Sequence, residues 1–319
     1  MLSRVAENLY WMARYIERAE NTARLVGVNA NLLLDLPRGI APGWEPLIEI
    51  TGSAGLFRER YAEPSERNVV RFLIADMDNP GAILASLRAA RENCRTIRDI
   101  VPREVWELLN ELYLYARDEV NVGLTKKGRH AYLKQVILSV QTLTGLLVGT
   151  MNHDAGYQFM RIGRNLERAD MTTRIIDVRS ASLLDDAPVE LRPFENIQWV
   201  SVLKSLTGYQ MYRRSMQASV RQGDVRRFLF QHGEFPRSVL HTLGAVGEGL
   251  AVLEVHSERP RKLVARISRT LLDTDVSEMD ARALHEFIDR LQRDFIELHD
   301  EVERAYFRGE ALSAASTGG

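Results

Sequence analysis

Apolar residues recur at Val5, Leu9, Met12, Ile16, Ala19, Ala23, Val26, Ala30 and Leu33. A three-four spacing sustained this long predicts one extended first helix, from Leu2 to a stop at Pro37-Arg38-Gly39. Asn79-Pro80 predicts a second start, with asparagine as cap and proline at the first helical position, and Val101-Pro102 a third that runs to Asn121 and is ended by Gly123. Gly128 to Met151 is more uniformly apolar, with Leu133, Val136, Val140, Leu143 and Leu147 on its main stripe, and reads as a central helix. Further helices are expected over Asp154–Leu184, ended by Asp185-Asp186-Ala187-Pro188, and over Phe194–Gln217, Asp224–Gln231, Pro236–Val255, Lys262–Leu272 and Ser277–Phe307. No segment alternates with a period of two, so the expected class is an all-α, multi-helix bundle.

Slid against itself by 150 residues, the chain repeats. Arg14-Tyr-Ile-Glu17-Arg18-Ala19-Glu20-Asn-Thr22-Ala-Arg24 lies over Arg164-Asn-Leu-Glu167-Arg168-Ala169-Asp170-Met-Thr172-Thr-Arg174. The apolar seam repeats too, Leu9, Met12, Ile16 and Ala19 over Phe159, Ile162, Leu166 and Ala169. Two pseudo-symmetric halves, about 1–150 and 151–308, built around two long Glu-Arg helices, make up one expected domain over 1–308. Residues 309–319 read as a disordered tail.

With 45% hydrophobic and 27% charged residues the composition is that of an ordinary globular protein. The net charge of −1 argues against a protein dominated by phosphate contacts with nucleic acid. Its distribution is uneven: Leu203–Arg237 is basic and Asp275–Glu310 acidic, so the two segments either face each other or meet separate partners. Cys94, the single cysteine, falls on an apolar helical position and reads as a small core residue. The chain enters its first helix without a leader pattern, which places the protein in the cytoplasm as an expectation. Gln135 to His153 approaches membrane-span length, but Gln141, Thr142, Thr144 and Asn152 favour a buried helix over a membrane span.

The candidate chemistry lies in the repeat. Arg14, Glu17, Arg18 and Asn21 sit opposite the main seam of the first helix, yet Tyr10 and Trp11 precede them and Leu25, Val28 and Leu32 follow. A helix apolar on both sides is buried, and buried ions need partners. In one reading Glu17 pairs with Arg14 or Arg18 of its own helix, or reciprocally with Arg168 while Glu167 takes Arg18, locking the halves in register. In the other the clusters line a pocket, with Glu17 and Glu167 as acid/base candidates and Arg14, Arg18, Glu20, Arg24, Arg164, Arg168, Asp170 and Arg174 binding an anionic ligand or an amine. Arg88, Arg91, Arg95 and Arg98 form a second basic stripe, for which salt bridges to the acidic C-terminal helix are preferred over phosphate groups or an acidic partner. Metal readings are weak: His299 and Glu303 lie four apart, but the Glu-x-x-His pairs of di-iron bundles are missing. Asp76, Asp78 and Asn79 favour a capped turn, and Asp154 a helix cap, while no glycine-rich phosphate loop follows a strand. No metal or cofactor is expected.

The duplicated Glu17-Arg18 and Glu167-Arg168 segments, with Asp78-Asn79-Pro80, Ala-Arg91-Glu92-Asn93-Cys-Arg95, Phe235-Pro236-Arg237-Ser238 and His299-Asp300-Glu301-Val-Glu303-Arg304, resemble the bacterial alpha-E family. The resemblance covers Met1 to about Arg308; Cys94 departs from it, standing where a small residue such as alanine is expected. It implies company more than mechanism. Similar proteins are encoded beside, or fused to, circularly permuted ATP-grasp amide ligases, often with transglutaminase-like peptidases and sometimes a proteasome-like peptidase. The implied role is an accessory or substrate-presenting subunit in peptide or amino-acid modification, with a stand-alone enzyme or anion-binding protein as the alternative. The second apolar faces of the long helices, rather than the resemblance, leave room for a homodimer, and the charge and composition argue against nucleic acid or membrane as a partner.

Overall fold

A computed structural model describes residues 2–36, 43–181, 192–216, 219–254 and 256–308. Among these the chain is helical, with no strands. The long helix α1 (Ser3–Asp35) is followed by three short ones, α2 (Glu45–Ile50), α3 (Ala54–Arg60) and α4 (Glu66–Ile74). Then come α5 (Ile83–Thr96), α6 (Arg103–Asp118), α7 (Val120–Leu124) and α8 (Lys126–Thr150). The second series is α9 (Ala155–Ala181), α10 (Arg192–Ser205), α11 (Tyr209–Met216), α12 (Gln222–Gln231), α13 (Val239–Val252), α14 (Arg259–Asp273) and α15 (Ala281–Tyr306). The expected stops at Pro37-Arg38-Gly39 and Asp185–Pro188, and the tail 309–319, lie outside the described residues.

Helices α1 and α9 form the centre. Helix α1 packs against α9, α5, α8 and α10, and α9 packs against α1, α13, α15 and α2. Surrounded in this way, α1 is exposed only toward its ends, at Arg4, Glu7, Asn31, Leu34 and Asp35, which explains the apolar residues on both faces of its middle turns. Leu9, Met12, Ala19, Ala23 and Val26 of the main seam are fully buried, and so are Tyr10 and Leu25 on the other side. Each large apolar side chain buried in this manner contributes about 1.5–3 kcal/mol relative to exposure. The outer layer closes through α5 on α6 and α6 on α8, and through α13 on α14 and α14 on α15.

The two central helices run in the same direction. Tyr10 lies against Gly163, Glu17 meets Arg168 and Asn29 meets Arg179, so both numbers rise together. At Gly163 the backbones approach so closely that an added Cβ would stand 2.4 Å from the Tyr10 carbonyl oxygen. Glycine there is a packing requirement.

Several boundaries differ from the sequence reading. Helices α2, α3 and α4 are too short to show a helical period in the sequence. The helix expected at Pro80 begins at Ile83; the Asn79 side chain instead accepts from the Gly81 N–H at 2.9 Å and donates to the Phe72 carbonyl, pinning a turn. The helix expected to run to Asn121 ends at Asp118, and Gly123 lies inside α7 rather than after a helix. The single helix expected over Phe194–Gln217 is broken between α10 and α11, where Thr207 adopts φ 55° and the chain turns at Gly208 beneath Phe235. Helix α8 keeps its buried stripe, Leu133, Val136, Val140, Leu143 and Leu147, but it is peripheral rather than central, with Leu138 and Val148 exposed. By length and composition α8 alone among the described helices could cross a membrane. Asp154 does cap α9, accepting from the Tyr157 N–H, and Cys94 is fully buried, its thiol pushed up to about 12 by burial.

Candidate functional site

The two Glu-Arg segments meet across the α1–α9 contact. Glu167, 3% exposed, accepts from the Arg14 Nε at 2.8 Å and from the Arg18 Nε and Nη2 at 2.6 and 3.0 Å. Glu17, 1% exposed, forms ion pairs with Arg168 at 2.9 Å and with Arg237 at 2.7 Å. The reciprocal pairing therefore exists, whereas Glu17 makes no ion pair with Arg14 or Arg18 of its own helix. Arg18 adjoins Glu17 in sequence and so points to another side of α1, and Glu17, buried as deeply as Glu167, is already held by Arg168 and Arg237, so Arg14 and Arg18 both serve Glu167 across the interface.

Arg237, of the Phe-Pro-Arg-Ser segment, joins the centre from outside the repeat, and nothing in the repeat itself marks it. Its Nη1 donates to Glu17 and to the Asn21 side-chain oxygen at 2.8 Å, and its Nη2 reaches Glu20 at 3.1 Å. Glu20 is also paired with Arg24 at 2.6 Å. In the second repeat Asp170 is held by Arg174 at 2.9 Å. Burial pushes the Asp170 carboxyl up, Arg174 opposes this and neighbouring Glu167 adds to it.

For the motif glutamates the balance goes the other way. Burial alone would raise both, but Arg168 and Arg237 outweigh it at Glu17, and Arg18 and Arg14 at Glu167, holding each carboxyl at about 2. Both are anions across the physiological range. Arg164, the repeat counterpart of Arg14, forms no ion pair among the described residues, and its buried Nε has no hydrogen-bond partner. Its guanidinium pKa is lowered by burial and by Arg168.

A polar chain continues outward from Arg14. Arg14 donates to the Tyr10 hydroxyl at 3.2 Å, and that hydroxyl lies 2.9 Å from His299 Nδ1. Burial and then Arg14 push the His299 pKa down. His299 thus closes one end of the network, and with Asp300 and Glu303 it forms a surface group that could ligate a metal ion. A comparable group is Asp177, His285 and Asp289, where His285 Nδ1 lies 2.8 Å from Asp177.

The basic stripe does not join this centre. Arg91 donates to Asn110 on α6 at 2.7 Å, pairs with Glu92 and lies over the Trp106 and Tyr113 rings. Arg95 pairs with Glu92 three residues back. The expected salt bridges to the acidic C-terminal helix are absent for both, because α6 and not α15 covers this side of α5.

A cavity of about 240 Å³ opens beside the second repeat, lined by Arg18, Thr22, Ser53, Gly81, Glu167, Asp170 and Arg174 among others. Two larger clefts lie elsewhere, one of about 610 Å³ against His256, Arg259, Glu301 and Arg304 and one of about 710 Å³ against Arg60, Asp76 and Asp78, and neither contains any residue of the duplicated Glu-Arg segments.

Three curated relatives, uncharacterized proteins of Mycobacterium bovis and of two Mycobacterium tuberculosis strains, are each 22% identical to the chain over 300 residues. The match covers 87% of this chain but spans only 33% of the relatives' length. No solved structure matches it significantly. The sequence pattern described as Alpha-E, "a predicted alpha-helical domain with a conserved ER motif", matches residues 1–307, and the helical bundle with its paired Glu17-Arg18 and Glu167-Arg168 segments belongs to that family.

Proposed function

We propose that this chain is a cytoplasmic, non-catalytic helical component that braces or presents substrate to an ATP-grasp amide ligase, with a transglutaminase-like or proteasome-like peptidase as a further partner, in peptide or amino-acid modification. The observation that carries the non-catalytic part is the state of Glu17 and Glu167. A general acid or base works best with a pKa near the operating pH, and two carboxylates held at about 2 by two arginines each are suited to cohesion instead. Support for a partnered role comes from the relatives, in which the matched segment is about a third of a longer chain, and from the family resemblance.

The same reading takes the two halves as related by a pseudo-twofold axis. The packings of α1 on α5, α8 and α10 have counterparts in α9 on α13, α15 and α2. The Thr22 hydroxyl donates to the Gly81 carbonyl at 3.1 Å, as the Thr172 hydroxyl does to the Arg237 carbonyl at 2.9 Å.

Affinity purification of the tagged protein from its native host, followed by ligase assays with and without it, tests the role. A stoichiometric ATP-grasp ligase whose rate or substrate affinity depends on this chain is expected. Turnover of a peptide or amino-acid substrate by the isolated chain, abolished by Glu17→Gln without a change in melting, would establish the enzyme alternative instead.

A further inference from the structure

Gly81 and Arg237 occupy matching places, each following a proline and each receiving a threonine hydroxyl on its carbonyl, from Thr22 and Thr172. In one half the Arg237 side chain, 6% exposed, fills the space beside the Glu-Arg cluster. Its four charged neighbours are Glu17, Glu20, Arg168 and Arg24, through pairs made with it or with the acids it touches. In the other half Gly81 has no side chain, and the space is the 240 Å³ cavity. The repeat counterparts of those four neighbours, Glu167, Asp170, Arg18 and Arg174, all line it.

We propose that this cavity is a binding site for a guanidinium or alkylammonium group, such as an arginine or lysine side chain of a peptide, which takes there the place that Arg237 takes in the other half. The protein thus carries its own template for the complex. Arg18 and Arg174 in the wall are no obstacle, since Arg168 and Arg24 flank Arg237 in the same manner and the two acids between them accommodate three cations. The cavity is several times the roughly 30 Å³ share of one water, so a side chain fits. Met171 stands in the wall where Asn21 contacts Arg237, replacing a polar partner with a surface for an alkyl stem. Arg14 shows what gives way. With Arg237 present on Glu17, Arg164 forms no ion pair, whereas with the cavity unfilled Arg14 binds Glu167, so Arg14 and an incoming cation compete for that carboxylate. The site goes beyond the accessory role, and its test does not involve a ligase.

Titration of the full chain with Nα-acetyl-arginine amide, and separately with Nα-acetyl-lysine amide, by calorimetry at low ionic strength tests the proposal, with acetate and inorganic phosphate as anion arms. Saturable binding of at least one cation is expected. Asp170→Asn should weaken it tenfold or more, and Gly81→Arg should abolish it by supplying the missing side chain in cis. Gly81 has no positive φ, and its added Cβ would meet only the ends of the Asn79 and Ser53 side chains at 3.3 and 3.8 Å. If Gly81→Arg does not fold, Asp170→Asn decides alone. No saturable cation binding, binding unchanged in Asp170→Asn, or phosphate binding at this site in preference to both cations would each overturn the assignment.

Discussion

Asn29 and Arg179 stand 150 residues apart in the chain and touch, the Arg179 guanidinium donating to the Asn29 side-chain oxygen at 2.8 Å. That separation is the period of the repeat, so two positions that correspond to each other are also in contact. The contact therefore joins equivalent positions of the sequence repeat within the α1–α9 interface. Burial lowers the Arg179 guanidinium pKa to about 10, and Asn29, fully buried, also donates to the Gly43 carbonyl.

Removing one motif carboxylate should cost more than the pair itself contributes, because two guanidinium groups are left facing an uncharged site. Glu17→Ala and Glu167→Ala are each expected to destabilise by about 3–5 kcal/mol. Chemical denaturation monitored by circular dichroism checks this, with the Glu17/Arg168 double-mutant cycle giving the pairwise share. A loss below about 1 kcal/mol, the range of an exposed ion pair, would contradict burial of these charges.

Acid should act on the same groups. Both carboxyls are held at about 2 in the folded chain against an ordinary 4.5. A depressed folded-state pKa contributes stability that is present above the unfolded value and is lost as pH falls toward the folded one. The melting temperature is therefore expected to fall between pH 4.5 and 2, more shallowly in Glu17→Gln and Glu167→Gln than in the parent chain. Thermal scans across that window provide the comparison.

Gly163→Ala is expected to force apart the α1–α9 contact, since the new methyl would overlap the Tyr10 carbonyl oxygen. A backbone atom cannot swing aside as a side chain can, so a loss of about 1–3 kcal/mol should result. Gly145→Ala in α8 is the control: an added Cβ meets nothing within 4 Å, and a gain of about 0.5–1 kcal/mol is expected.

Tyr10→Phe removes the hydroxyl shared by Arg14 and His299 while keeping the ring, which lies parallel to the imidazole at 5.6 Å between centroids. Loss of a partly buried hydrogen bond predicts about 1 kcal/mol. The His299 titration, read by nuclear magnetic resonance, should also shift when this partner is removed; an unchanged titration would mean that the hydroxyl does not reach the ring in solution.

Cys94 offers a quick check of the core. With its thiol buried and its pKa raised to about 12, it should react with a thiol reagent only on unfolding. Prompt stoichiometric labelling of the native protein would place α5 elsewhere.

The sequence by itself determined the helical class, the presence of the two long helices α1 and α9 and the duplicated Glu-Arg segments, because a hydrophobic period sustained over many turns is a local signal and an internal repeat is a direct comparison of the chain with itself. It also carried the burial of Glu17 and Glu167, legible in the apolar residues on both sides of the polar patch. The short α2–α4, the break at Thr207 and the peripheral place of α8 were not legible, since helices of six to nine residues complete too few turns to show a period and a stripe does not say how many neighbours surround it. Only the tertiary structure decided which arginine meets which glutamate. Arg14 and Arg18 lie three residues and one residue from Glu17 on their own helix, yet both pair with Glu167 while Glu17 takes Arg168 and Arg237, a choice made by the packing of α1 on α9. Arg237 and Gly81 carry no local mark of their equivalence. It arises from two threonines and two prolines brought into corresponding positions by packing, and with it comes the difference between a filled site and an open one.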